Sequence, residues 1–194
     1  MDNQKKNLKF DKNSDIDTES RVIKITFLSR DQTVTNAVQS AMKRYEGFDF
    51  NFVTEEIRDI SQLQYDCLIS PANSFGELKG GVDMQYYLNL GKERLQKAIY
   101  YIIKNKFHGE ILIGQSCLFP LEVFDKTLGP KYLMLCPTMT IPADVAKTRN
   151  AYYFTRALVT RLLEMQKINL DVKTALCPIP CVGVGQMDPK TAGF

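Results

Sequence analysis

The sequence predicts an α/β protein with a central, mainly parallel sheet that is covered by helices on both faces. Short runs of β-branched and aromatic residues alternate with longer segments whose apolar residues recur every three or four positions. This alternation is typical of strand–helix–strand units, which place helices on both faces of a parallel sheet. The length of 194 residues and the 44% hydrophobic content are sufficient for one core of that size.

The first half of the chain contains three predicted strands and one predicted helix. The strands are the β-rich runs at 22–28, 48–53 and 65–69. Asp31 provides a helix start, and the apolar residues after it keep a helical spacing. They are Val34, Ala37, Val38 and Met42.

The second half begins with a predicted long helix over 84–107, which Gly109 ends. Its apolar stripe is Leu88, Leu95, Ala98, Ile99, Ile102 and Ile103. Further strands are predicted at 110–114, 131–136 and 173–178. A second long helix is predicted over 144–165, with Ala151, Phe154, Leu158 and Leu162 facing inward.

The sequence predicts one domain preceded by a tail. Residues 1–21 are polar and lack a periodic apolar pattern, so we expect a disordered segment before a domain that covers 22–194. Asp188 followed by Pro189 is a helix start, yet the chain ends at Phe194, so we expect the final helix to be truncated.

Charge and hydropathy exclude two classes of partner. The formal net charge of +3 is spread over 25 basic and 22 acidic residues without a dense basic stripe, so we expect no nucleic-acid binding. No apolar run approaches the roughly 20 residues that span a bilayer, and the polar N-terminus is no signal peptide. We therefore expect an intracellular protein without a membrane partner, in the cytoplasm or the nucleus.

The cysteines and the histidine do not indicate a metal site. Five cysteines are an odd number in a chain without a secretion signal, which favours free thiols buried as small hydrophobes. Cys177 and Cys181 do not have the spacing of a zinc knuckle, and His108 is the only histidine. We expect neither a metal nor a cofactor.

Three segments next to predicted strands carry residues that ordinary connections do not need. They are Asp59–Ile60, 70–83 and 181–185. Ligands of open α/β sheets bind at the carboxyl ends of the strands. Glycines there allow the backbone to approach an anion and offer it free N–H groups, and two such loops facing each other suit a diphosphate. Neither loop is a dinucleotide fingerprint or a P-loop.

Each of these residues also has a purely structural interpretation. Asp83 is a possible N-cap of the long helix, and the side chain of Asn73 a possible stabiliser of a turn. Gly183 and Gly185 are compatible with a tight connection between a strand and a helix. Asp59, considered by itself, is interpreted as a loop residue without a chemical role. The joint spacing of these positions favours the functional interpretation.

The spacing resembles that of the macro domain, the ADP-ribose-binding fold. Residues 58–73, which run from Arg-Asp-Ile-Ser to Ser-Pro-Ala-Asn, are similar without a gap to the family stretch from Gly-Asp-Ile-Thr to Asn-Ala-Ala-Asn. Residues 80–83 fall where the family has glycines followed by Val-Asp, and 181–185 resemble its second phosphate loop. The resemblance implies a three-layer α/β/α fold around a mixed, mostly parallel sheet. Ser70 and Lys79 depart from the family pattern.

The resemblance also implies a role for each matching residue. Asp59 would accept a hydrogen bond from the adenine amino group, Ile60 would line the base pocket, and Asn73 would bond the hydroxyls of the distal ribose. Asp83 would place or activate a water that attacks the anomeric carbon of that ribose. Backbone N–H groups would hold the diphosphate and the ribose, from Gly80, Gly81, Val82, Val182, Gly183, Val184 and Gly185.

We therefore expect a hydrolase that removes ADP-ribose from mono-ADP-ribosylated protein or from a small ADP-ribose derivative, with Asp83 and Asn73 as catalytic residues. Two alternatives use the same loops: a reader that binds ADP-ribose without cleaving it, and a phosphatase acting on ADP-ribose 1″-phosphate. A fourth alternative is an unrelated α/β protein in which the loops match by chance.

Overall fold

A computed structural model describes residues 23–45, 50–56, 63–124 and 128–193. Within them a six-stranded sheet has the order β2-β1-β6-β3-β5-β4. The strands are β1 (Lys24–Ser29), β2 (Phe50–Thr54), β3 (Cys67–Ser70), β4 (Cys117–Pro120), β5 (Tyr132–Leu135) and β6 (Thr174–Pro178). The helices are α1 (Gln32–Met42), α2 (Gly81–Asn89), α3 (Lys92–Lys106), α4 (Asn150–Lys167) and α5 (Pro189–Ala192), with a short 3-10 turn at Leu121–Val123.

The sheet lies between two helical layers, as the sequence predicts. Five strands run parallel, and β4 pairs antiparallel with β5 at one edge. Strand side chains alternate between the faces, so Leu68 packs with α2 and α3 while its neighbours Cys67 and Ile69 pack with α1 and α4. Three layers therefore enclose two apolar cores, and the predicted α/β/α class is confirmed.

Two predicted helices have the expected buried faces. The Asp31 carboxylate accepts a 2.7 Å hydrogen bond from the Thr33 N–H and caps α1. All four residues predicted to face inward from α4 are buried: Ala151, Phe154, Leu158 and Leu162. The α4 helix begins at Asn150 rather than at 144, because Asp144 and Thr148 make turn hydrogen bonds in the preceding loop.

The single long helix predicted over 84–107 is wrong. Two helices, α2 and α3, replace it, because the chain breaks at Gly91, whose φ of +123° is strongly disfavoured for other residues. The break changes which side chains face the sheet. Leu88 is 46% exposed, whereas Tyr86 and Leu90 are buried in the core.

The strand predicted at 110–114 is also wrong. Ile111 is buried, but its N–H donates to the Ser74 carbonyl rather than to a strand, and Gly114 turns the chain with a φ of +95°. The strand of this region is β4, which the sequence analysis does not predict. An apolar run indicates burial of a segment but not which backbone partner it finds.

The remaining predictions concern the cysteines and the C-terminal helix. All five cysteines are free and buried, as expected. Asp188 accepts a hydrogen bond from the Thr191 N–H and caps α5, which packs beside α1. In the part of the chain that the structure describes, no helix has the length and apolarity to cross a membrane.

Candidate functional site

A cleft of about 420 Å³ opens at the carboxyl ends of the parallel strands. Residues at the ends of β1, β2, β3 and β6 and in the loop after β5 line it. Its two main walls are the first loop, residues 71–80, which leads from β3 into α2, and the second loop, residues 179–188, which leads from β6 into α5. Because β3 and β6 are neighbours in the sheet, these loops meet across the cleft.

The first loop delivers the N-terminus of α2 to the cleft. Gly80 occupies the N-cap position with extended backbone and no side-chain cap, and Gly81 follows with a φ of +53°. The N–H groups of Gly81, Val82 and Asp83 donate to no other described residue. A helix N-terminus with free N–H groups attracts anions.

The second loop is a closed turn. The Met187 N–H donates to the Cys181 carbonyl at 2.9 Å, and the Val145 N–H donates to the Gly185 carbonyl at 2.9 Å, which anchors the turn to the loop after β5. A Cβ at Gly185 would lie 2.5 Å from the Cys181 carbonyl oxygen, so the turn needs glycine there. Among described acceptors, none receives the N–H groups of residues 182–185.

Asp83 is the third residue of α2, and its side chain is buried at the base of the cleft. Gly80 holds the cap position, so the interpretation of Asp83 as an N-cap is wrong. The Ser70 hydroxyl donates a 2.6 Å hydrogen bond to Asp83 Oδ1. Burial raises the pKa of Asp83 to about 7, and the Ser70 hydrogen bond opposes that rise.

Asn73 holds the first loop through its side chain, as the structural interpretation predicts. Its Oδ1 accepts hydrogen bonds from the N–H groups of Phe75 and Glu77, both at 3.1 Å. Its Nδ2 donates to Glu77 Oε2 at 3.1 Å, and Lys79 Nζ lies 2.6 Å from Glu77 Oε1. The bonds from Lys79 and Asn73 lower the pKa of Glu77 below its ordinary value. Lys79, Glu77 and Asn73 thus form one hydrogen-bonded chain along the first loop.

Nine of the predicted site residues line this one cleft: Asn73, Gly80, Gly81, Val82, Asp83, Val182, Gly183, Val184 and Gly185. Asp59 and Ile60 lie outside the described residues. The roles that the resemblance implies for all eleven stay predictions.

The sequence analysis missed other lining residues: Leu28, Ser29, Arg30, Glu55, Glu56, Glu77, Thr138, Met139 and Pro142. Leu28 and Ser29 are the last residues of β1, and Arg30, Glu55 and Glu56 directly follow β1 or β2. The rule that ligands bind at the carboxyl edge of a parallel sheet would have found those.

The described residues contain no group of three or more His, Cys, Asp and Glu residues placed to hold a metal ion. Cys181 lines the cleft, but it packs with Met139, Val145 and Met187 in a small apolar cluster. Burial raises the pKa of its thiol to about 11, so the nucleophilic thiolate is disfavoured.

Comparisons with known proteins give structural matches alone. No family model matches the sequence, and no curated protein matches it. The macrodomain of Mycobacterium tuberculosis DarG superposes with a TM-score of 0.55 and 18% identity, covering 71% of this chain and 82% of that one. The Oceanobacillus iheyensis macrodomain gives 0.55 and 18%, covering 70% and 69%. Thermosipho africanus DarTG in complex with ADP-ribose gives 0.50 and 14%, covering 84% of this chain and 46% of that one.

The first two of these similar structures are macrodomains. Identities below 20% are informative about fold rather than about function. The layer order, the mixed sheet and the cleft at its carboxyl edge agree with that likeness. The chain therefore has the macrodomain fold.

Proposed function

We propose that this protein binds ADP-ribose in the cleft and hydrolyses the bond between its distal ribose and an attached group. The observation that carries the proposal is that the N-terminus of α2 and the second loop both line the cleft, with backbone N–H groups at 81–83 and 182–185 that donate to no described acceptor. The fold and the complex of a structural relative with ADP-ribose support the same ligand.

The diphosphate would lie between the N-terminus of α2 and the second loop. Both walls offer N–H donors, and the helix dipole adds a favourable positive potential at Gly81 and Val82. Such sites hold an anion without a basic side chain. The adenosine would extend toward the ends of β1 and β2, and the distal ribose toward Asp83.

Asp83 would act on a water beside the distal ribose. The water oxygen forms a bond to the anomeric carbon while the bond from that carbon to the leaving group breaks. The Asp83 carboxylate accepts a proton from the water, and the leaving group takes a proton from solvent. This role requires the ionised carboxylate, which a pKa of about 7 leaves partly populated at neutral pH.

The test measures binding and turnover separately. Calorimetry with ADP-ribose and release of ADP-ribose from a mono-ADP-ribosylated protein are compared for wild type, Asp83→Ala and the control Glu122→Ala, which changes an exposed carboxylate outside the cleft. We expect Asp83→Ala to keep the affinity within about tenfold and to reduce turnover by about 10²–10⁴-fold. Wild-type rates in Asp83→Ala would exclude a catalytic role, and absence of ADP-ribose binding would overturn the whole proposal.

One observation favours a second function, that of a reader which binds ADP-ribose without cleaving it. The Asp83 carboxyl is buried, and burial favours the neutral acid over the ionised base that the reaction needs. Tight binding by wild type without product release at pH 8, where the carboxyl is mostly ionised, would identify the reader.

A further inference from the structure

Glu77 is a carboxylate on the cleft wall that the proposed reaction does not use. Its side chain is 32% exposed, whereas Asn73, four residues earlier in the first loop, is only 7% exposed. Glu77 is therefore the more accessible polar group on this part of the wall. It lies in the loop that ends at the N-terminus of α2, on the side where the distal ribose is proposed to lie.

A ribose with free 2- and 3-hydroxyls presents two adjacent O–H donors. A site that recognises both hydroxyls therefore needs hydrogen-bond acceptors placed beside them. The Asn73 carbonyl oxygen already accepts from the N–H groups of Phe75 and Glu77. Both of its lone pairs are used in holding the loop. Asn73 therefore has no acceptor left for a ligand hydroxyl, and its Nδ2 donates to Glu77.

Glu77 has the acceptor capacity that Asn73 lacks. Each carboxylate oxygen can accept about two hydrogen bonds. Asn73 Nδ2 takes one position on Oε2, and Lys79 Nζ takes one on Oε1. One lone pair remains on each oxygen, which matches the two hydroxyls of a vicinal diol. Recognition of ribose hydroxyls by an acidic side chain also occurs in dinucleotide-binding folds.

We propose that the Glu77 carboxylate accepts hydrogen bonds from the two adjacent hydroxyls of the distal ribose, and that Asn73 and Lys79 position it. This proposal rests on the proposed binding of ADP-ribose. The carboxylate is held from two sides before the ligand arrives, which reduces the entropy lost on binding. The cleft then selects diphosphates whose distal end carries a sugar with a free vicinal diol. ADP lacks the distal ribose, so it makes every proposed contact except the two hydrogen bonds to Glu77.

Calorimetry with ADP-ribose and with ADP tests the role on wild type, Glu77→Gln, Lys79→Met and a matched control, Glu122→Gln, whose side chain is exposed outside the cleft. Glu77→Gln keeps the size of the side chain but loses the charge and one acceptor. We expect it to weaken ADP-ribose binding about 10- to 100-fold and to change ADP binding less than about twofold. Lys79→Met should weaken ADP-ribose binding about fivefold and leave ADP binding unchanged. Glu122→Gln should change neither.

Three outcomes overturn the proposal. Wild-type affinities for both ADP-ribose and ADP in Glu77→Gln would show that the carboxylate does not contact the distal sugar. An equal loss of both affinities would assign Glu77 to loop structure alone. Failure of wild type to bind either ligand would instead remove the proposed function on which this role rests.

Discussion

The Ser70 hydroxyl donates a 2.6 Å hydrogen bond to Asp83 Oδ1, which joins the last residue of β3 to the third residue of α2. Both side chains are buried, so the bond fixes the carboxyl where the first loop rejoins the core. It also links the ionisation of Asp83 to a neutral neighbour rather than to a cation. The pH dependence of the protein's stability should therefore reflect the ionisation of Asp83 beside Ser70.

Asp83 should make the protein less stable as pH rises from about 4 to 7. Its pKa is about 7 in the folded protein and 3.8 as the ordinary value, so the folded state binds the proton more tightly. The free energy of unfolding then falls across that window, by an amount on the order of 4 kcal/mol from this group. Urea unfolding at pH 4.5 and pH 8 measures the difference.

The matching variant is Asp83→Asn, which is neutral at every pH and keeps an acceptor for Ser70. Its free energy of unfolding should change much less between these two pH values than that of wild type. Asp144→Asn, at an exposed position, should behave as wild type. Identical pH profiles for wild type and Asp83→Asn would contradict a raised pKa of Asp83.

Ser70→Ala should raise the pKa of Asp83 further, because the Ser70 hydrogen bond favours the charged carboxylate. Carboxyl-detected NMR measures that pKa whether or not the protein turns over. If the protein is a hydrolase, its turnover should rise with pH around a midpoint near 7 in wild type. In Ser70→Ala this midpoint should move to higher pH. Ser116→Ala, which removes a hydroxyl bonded to Arg161, is the control and should leave both quantities unchanged.

Gly185→Ala should destabilise the second loop, because the new Cβ would lie 2.5 Å from the Cys181 carbonyl oxygen and 2.7 Å from Val145 Cγ2. We expect the free energy of unfolding to fall by about 1–3 kcal/mol and ADP-ribose binding to weaken. Gly183→Ala, with nothing within 4 Å of the added carbon, should melt at the wild-type temperature. Thermal unfolding of both variants checks this, and equal losses would mean that the turn is not closed at Cys181.

ADP-ribose binding should depend little on salt. The charged residues that line the described part of the cleft are two basic and four acidic ones: Arg30, Lys79, Glu55, Glu56, Glu77 and Asp83. A diphosphate held there depends on backbone N–H groups rather than on a positive surface. We expect Kd to change less than about threefold between 0.05 and 0.5 M NaCl. A Kd that weakens tenfold or more over this range would indicate a cationic contact instead.

Local sequence pattern was sufficient for the class of fold and for much of the cleft wall. The caps at Asp31 and Asp188 and the inward face of α4 depend on residues within one or two helical turns of each other, so the sequence contains all the information they need. The predicted loops could be placed at one edge because parallel strands end on the same side.

Tertiary contacts decided the rest. The break at Gly91 follows from how Leu90 and Leu95 pack into the core, and β4 is a strand because β5 offers it a free edge. Likewise, the hydrogen-bond partner of Asp83 is Ser70, thirteen positions earlier in the chain. The Asn73 side-chain oxygen accepts hydrogen bonds from N–H groups of its own loop. These pairings depend on distances across the fold, which periodicity along the chain does not contain.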